Sequence, residues 1–178
     1  EYIESTLTIM ENSWNIQKAI RQRFVEQLRE LASSKGFKFC CDKDLCDLKD
    51  QQWIEISNPS ISTHWGICIG WEKQNRSKGA YYGISWLMDK DPACISEKML
   101  CQLPHIFKKE QDNWFPYGWE YLYGKDGIEH NGSWWSWNDI NTLRDMSNGT
   151  MLQFIEEKIL DVVIEQHLLE RLEEMTKK

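Results

Sequence analysis

The chain has 178 residues, 41% of them hydrophobic, and a formal net charge of −7; this length supports one well-buried core and leaves little room for a second domain. The apolar share excludes wholesale disorder, and the acidic balance argues against general duplex binding, which needs a basic face to displace phosphate counterions. Ten tryptophans far exceed ordinary usage, and such rings serve either as large core pieces or as exposed stacking platforms.

Residues 1–11 (EYIESTLTIME) read as a linker, a short helix of their own, or the end of an upstream helix. With Glu1 rather than Met at the start, they point to the C-terminal piece of a longer protein. From Asn12-Ser13 the pattern becomes a long amphipathic helix. Ile16, Ile20, Phe24, Leu28 and Leu31 recur at the helical period, and Lys35-Gly36 forms its stop. Residues 40–52 are polar and acidic and read as a connector.

The β region opens at Trp53-Ile54-Glu55-Ile56. In THWGICIGWEK (63–73), Trp65, Ile67, Ile69 and Trp71 share one face at period two, and Gly66, Cys68, Gly70 and Glu72 share the other. After a QNRSKGA turn, Tyr82, Ile84 and Trp86 alternate again, which predicts an antiparallel hairpin. Glycines on its second face predict close approach by a bulky neighbour or a covering helix. A short helix is expected over 93–103, further short strands over 114–123, and another short helix over 138–146, closed by Asn148-Gly149. Thr150 with Gln153 forms a capping-box pattern for a last helix running from Met151 to about Met175. The fold class is therefore α+β, a single domain over 1–178, with an antiparallel sheet packed against long N-terminal and C-terminal helices.

The six cysteines (Cys40, Cys41, Cys46, Cys68, Cys94 and Cys101) form no CxxC pair. A vicinal Cys40-Cys41 pair suits neither a zinc knuckle nor a disulfide framework, so reduced thiols in the cytoplasm are expected. Sequons at Asn75, Asn131 and Asn148 point the other way. Together with the tryptophans they keep a secreted carbohydrate-binding module as an alternative. No run of about 18 apolar residues exists, so no membrane partner is expected.

A metal-dependent nuclease site needs an Asp followed by Glu-x-Lys on a strand, the carboxylates holding the metal ion. Here Asp44, Asp47 or Asp50 precedes Glu55-Ile56-Ser57, and serine stands where lysine should be. His64, His105, His130 and His167 make no HxxxH pattern, and no glycine-rich phosphate loop opens a helix. No catalytic residue, metal ligand or cofactor is assigned. A small complete hydrolase would have to use Glu55, His64 and Glu72 around the hairpin. The best binding feature is Ser133-Trp134-Trp135-Ser136-Trp137, because three tryptophans in four residues cannot all point one way. Trp134, Trp135 and Trp137 are thus candidate ligand-stacking residues, and Lys73, Arg76 and Lys78 at the hairpin tip are candidate phosphate contacts. The competing reading buries Trp134 or Trp135 and makes Trp137 a staple for the next helix.

The succession of a long helix, THWGICIGWEK and GAYYGISW resembles the C-terminal part of bacterial PD-(D/E)XK nuclease-superfamily proteins, over roughly residues 10–170. The hallmark Asp and Glu-x-Lys are absent, so the resemblance carries over no catalytic position. It implies a non-catalytic accessory domain for recognition or interaction, with nucleic acid or another protein domain as partner. Any nuclease body, with its divalent metal, would lie upstream of Glu1.

Overall fold

The computed structural model describes residues 2–43, 45–47, 51–72, 80–88, 103–104, 106–107, 115–122, 134 and 136–177, with the backbone alone at 2–11, 51 and 72. Helix α1 spans Tyr2–Ser34. It runs unbroken through residues 2–11, so these are neither a linker nor a separate helix. Phe24, Val25, Leu28 and Ala32 on α1 are buried, the inward stripe that the apolar spacing predicts. The helix ends in a Schellman motif: Gly36 has φ +82°, Phe37 N donates to Ala32 O (2.9 Å) and Gly36 N to Ser33 O (3.0 Å). Glycine adopts this left-handed geometry without the Cβ penalty of other residues.

Five strands follow: β1 (Lys38–Cys41), β2 (Gln51–Ser57), β3 (Trp65–Glu72), β4 (Ala80–Trp86) and β5 (Trp119–Tyr121). They form one sheet in the order β1-β2-β3-β4-β5, every pair antiparallel. The register sets Ile54, Ile69 and Tyr82 side by side, and likewise Ile56, Ile67 and Ile84. All six are buried, together with Trp65 and Trp71. This is the core face, and α1 packs against the β1 side of the sheet.

On the opposite face, glycines make room for rings. A Cβ at Gly70 would come within 2.9 Å of both the Trp53 and Tyr81 rings. At Gly83 it would collide with the Phe115 ring and approach the Gly118 carbonyl to 2.7 Å. Among the described residues the close neighbours are thus aromatic side chains of β2, β4 and the segment before β5. Of the other expected elements, the helix over 93–103 and the hairpin turn at 73–79 fall almost wholly outside the described residues.

Helix α2 (Ile140–Ser147) is capped by Asp139, whose carboxylate accepts from Asn141 N and Thr142 N. The long last helix expected from Met151 is instead three helical pieces. These are α3 (Thr150–Ile155), α4 (Asp161–Glu165) and α5 (Leu168–Thr176), with a π turn at Glu156–Leu160 between the first two. The capping box does not form. Gly149 is the N-cap with φ +84°, and Thr150 N donates to Asn148 Oδ1. The π turn has a packing reason. Met151, Ile155, Ile159 and Val163 are all buried at steps of four, and in a regular α-helix each such step would rotate the stripe by about 40°. A turn with i→i+5 bonding takes up that drift. Lys35, at the end of α1, pins the turn at both edges through Glu156 (2.8 Å) and Asp161 (2.6 Å). The second break falls at His167, which adopts φ 49°, ψ 41° and redirects the chain into α5.

Sheet and helices share one hydrophobic core. Trp137 bridges them, lying edge-on to Trp71 of β3 (4.4 Å between centroids) and to Phe24 of α1 (5.7 Å). Among the described residues no helix is long and apolar enough to cross a membrane.

Candidate functional site

Two members of the predicted tryptophan platform are closed off from a ligand. Trp134 and Trp137 are fully enclosed; Trp134 Nε1 donates to Asp145 Oδ2 (2.9 Å) and its ring meets Phe154 edge-on. Both are core pieces: for Trp134 this is the competing reading, whereas Trp137, expected there as a staple for the next helix, packs between Phe24 and Trp71. Trp135, Lys73, Arg76 and Lys78 lie outside the described residues.

The hydrolase constellation of Glu55, His64 and Glu72 is not assembled either. His64 precedes the first residue of β3 and Glu72 is its last, so about eight residues at ~3.3 Å each separate them. Glu55 sits mid-strand opposite Cys68. The partner of His64 is Glu173 of α5. Nδ1 of the imidazole lies 2.9 Å from Glu173 Oε2 and 3.0 Å from Oε1, and the ring stacks on Trp86 at 5.0 Å and 19°. The same carboxylate accepts from Ser62 Oγ (2.8 Å), Thr63 Oγ1 (3.3 Å) and His64 N (3.3 Å). Lys177 Nζ approaches to 3.4 Å. Burial pushes the Glu173 carboxyl up, but the hydrogen bonds from His64 and Ser62 outweigh it and hold the group at about 2. A carboxylate on Nδ1 fixes the imidazole tautomer and leaves Nε2 outward, where it has no hydrogen-bond partner among the described residues. Chemically this can orient a general base. Structurally it ties the turn before β3 to α5, and Trp65 Nε1 adds a bond to Thr176 Oγ1 (2.9 Å).

No spacing in the sequence pairs His64 with a residue 109 positions away. Its signal is indirect: Glu173 stands next to Leu172 in the apolar register of the last helix.

Among the described residues, a surface feature with the dimensions of a binding site lies elsewhere. An open groove of about 640 Å³ runs between α1 and α2. Ile16, Gln17 and Ile20 line one wall, and Ile140, Leu143 and Arg144 the other. Ile16 is 60% exposed and Ile140 73%, two of the few large exposed hydrophobics among the described residues. On another side of α1, Arg21 is wholly buried under the Trp14 ring, 5.0 Å away. Its Nε donates to Cys46 O (3.2 Å) and its Nη1 to Trp137 O (3.4 Å). Burial lowers its pKa, against the opposing influence of Cys46 and Asp47. The sequence reading missed this groove because Ile16 counts there as part of the buried stripe, yet it faces solvent.

Among the described residues no three or more His, Cys, Asp or Glu side chains converge to hold a metal ion. The chain matches no family model, no curated protein and no solved structure, so the likeness to nuclease-superfamily proteins rests on the sequence pattern alone.

Proposed function

We propose that this chain is an interaction module that receives an amphipathic helix of a partner protein in the α1–α2 groove. One observation carries the reading: Ile16 and Ile140 are exposed on the two walls of an apolar cleft of about 640 Å³. Isolated surface isoleucines are ordinary, but two lining one cleft give the i, i+3/i+4 anchors of a docking helix somewhere to go. The accessory role expected from the resemblance is one setting for such a module, and the groove supports its interaction half. Among the described residues nothing comparable supports nucleic acid, because Trp134 and Trp137 are core residues.

The test is fluorescence polarisation with labelled amphipathic peptides of about 18 residues, long enough to reach helical form on binding. They share one apolar face and carry acidic, neutral or basic polar faces. At least one is expected to bind, and Ile16→Glu with Ile140→Glu is expected to weaken it by about tenfold or more. Binding of no peptide, or undiminished binding by the double variant, overturns the reading.

A further inference from the structure

We infer that the glycine face of the sheet binds a methylated lysine side chain of a partner protein, seated between the Trp53 and Tyr81 rings with Glu55 as its counter-charge. This site is separate from the α1–α2 groove and does not depend on it. The register brings the three residues together. Trp53 and Glu55 are two apart on β2 and so share a face, and Trp53 looks across Gly70 of β3 to Tyr81 of β4. Both rings lean over that glycine, where an added Cβ would lie 2.9 Å from each. Their centroids are 5.8 Å apart and their planes meet at 77°, so they make a corner, not a stack. The corner is held from behind, because the buried Phe115 and Trp119 of β5 meet Tyr81 edge-on at 5.6 and 6.0 Å. Trp65 and Trp71 on the other face are closed off from solvent, whereas Trp53, Glu55 and Tyr81 are only half-buried.

Charge selects the occupant. Glu55 has no ion pair or hydrogen bond among the described residues. A second carboxylate, Asp42, stands beside Trp53 and accepts its backbone N–H at 2.8 Å. The fields of both reach Cys68, which faces Glu55 across the β2–β3 ladder on the floor of the site. Burial pushes that thiol up first, and Glu55 and Asp42 push it further. Within a chain of net charge −7, an acidic aromatic corner draws cations and repels phosphate. Shape then narrows the cation. A planar guanidinium stacks on one ring face but not on two at 77°, and a primary ammonium is strongly hydrated. A methylated ammonium is rounded, weakly hydrated, and touches two perpendicular ring faces at once. Two rings and one carboxylate on an open sheet face hold a free ion only weakly, so the group has to arrive on a chain that makes further contacts.

Fluorescence polarisation with a short labelled peptide tests this. Its central side chain is trimethyllysine, lysine, or the neutral isostere in which carbon replaces the quaternary nitrogen. The trimethyllysine peptide is expected to bind about tenfold tighter than either of the others. That preference is expected to vanish in Trp53→Ala and to persist in part in Trp53→Phe, which keeps a ring over Gly70. Glu55→Gln, a conservative change that spares the fold, is expected to weaken the trimethyllysine peptide several-fold and leave the neutral one unchanged. Binding of no peptide, or equal binding of all three, overturns the inference. So does a preference that survives both Trp53→Ala and Glu55→Gln, and tighter binding of the neutral isostere overturns the selection by charge. If tetramethylammonium displaces the peptide at a concentration equal to the peptide's own dissociation constant, the lysine assignment falls in favour of a free quaternary amine. None of these outcomes touches the groove, whose walls carry Ile16 and Ile140.

Discussion

At Glu173 a buried carboxylate accepts from Ser62, Thr63 and both nitrogens that His64 presents to it. Its carboxyl is held at about 2 against an ordinary 4.5. The folded value is the lower one, so the group contributes stability above about pH 4.5 and loses it as the pH falls through about 2. By linkage the full contribution is about 3 kcal/mol. Glu173→Gln should therefore lower urea-unfolding stability by about 2–3 kcal/mol at pH 7, and the gap to wild type should narrow at pH 3. A pH-independent gap would show that the hydrogen bonds, not the charge, do the holding. Arg21 is buried with no comparable partner set, and the opposite result is expected there. Arg21→Met should leave stability unchanged or raise it by about 1–2 kcal/mol, since an apolar isostere avoids desolvating a charge. A loss above about 1 kcal/mol would mean that the two carbonyl bonds outweigh the burial cost. Neither behaviour is legible in the sequence. Arg21 reads as one more polar residue between Ile20 and Phe24, and Glu173 as one of a charged pair, Glu173-Glu174, near the end of a helix.

The strands were the most legible elements, because alternation at period two is a local property. The faces of β3 follow from it, and so does the packing of something bulky over its glycines. Identifying the bulky group as rings from β2, β4 and the segment before β5 required the register. The consequence can be measured. Gly83→Ala meets the Phe115 ring and a carbonyl oxygen, neither of which can yield, and should destabilise by about 2–3 kcal/mol. Gly66→Ala meets chiefly the mobile methyl groups of Leu87 at 3.0 and 3.1 Å, and should cost less than about 1 kcal/mol. Equal effects in chemical denaturation would show that the second face is looser than the packing implies. The C-terminal helices were the least legible. Leu, Ile and Val run through them so densely that one uninterrupted helix fits the pattern, while the buried steps of four demand a π turn. The break at His167 carries no glycine to announce it. Placing one there, His167→Gly, should raise the melting midpoint, with a gain of about 0.5–1 kcal/mol, by relieving a left-handed backbone at an exposed side chain. A fall in the midpoint would show that glycine's extra unfolded-state freedom outweighs that strain.

Across the whole molecule, Trp137 joins α1 to the sheet while the α1–α2 groove stays open beside it. Packing and the proposed docking thus use adjacent faces of one helix. This explains why the apolar stripe of α1 could be read from sequence but not divided between core and surface: Phe24 belongs inward, Ile16 outward, and the partly buried Ile20 touches both core and groove. Thermal denaturation of Ile16→Glu with Ile140→Glu should give a midpoint within a few degrees of wild type, because both side chains already face water. A large drop would mean that the groove is part of the fold's foundation. The Glu173 cluster has a separate consequence for how the molecule is made. It joins residues 62–65 to residues 173–176, so the turn that launches β3 stays unfastened until more than a hundred further residues have left the ribosome. During that interval the hydrophobic sheet face lacks α5, and the nascent chain is exposed to wrong partners. Closing so long a loop carries a large entropic cost, and the buried carboxylate repays it only once translation has passed residue 173. For this chain, the order of synthesis leaves the turn before β3 unfastened until α5 has been made.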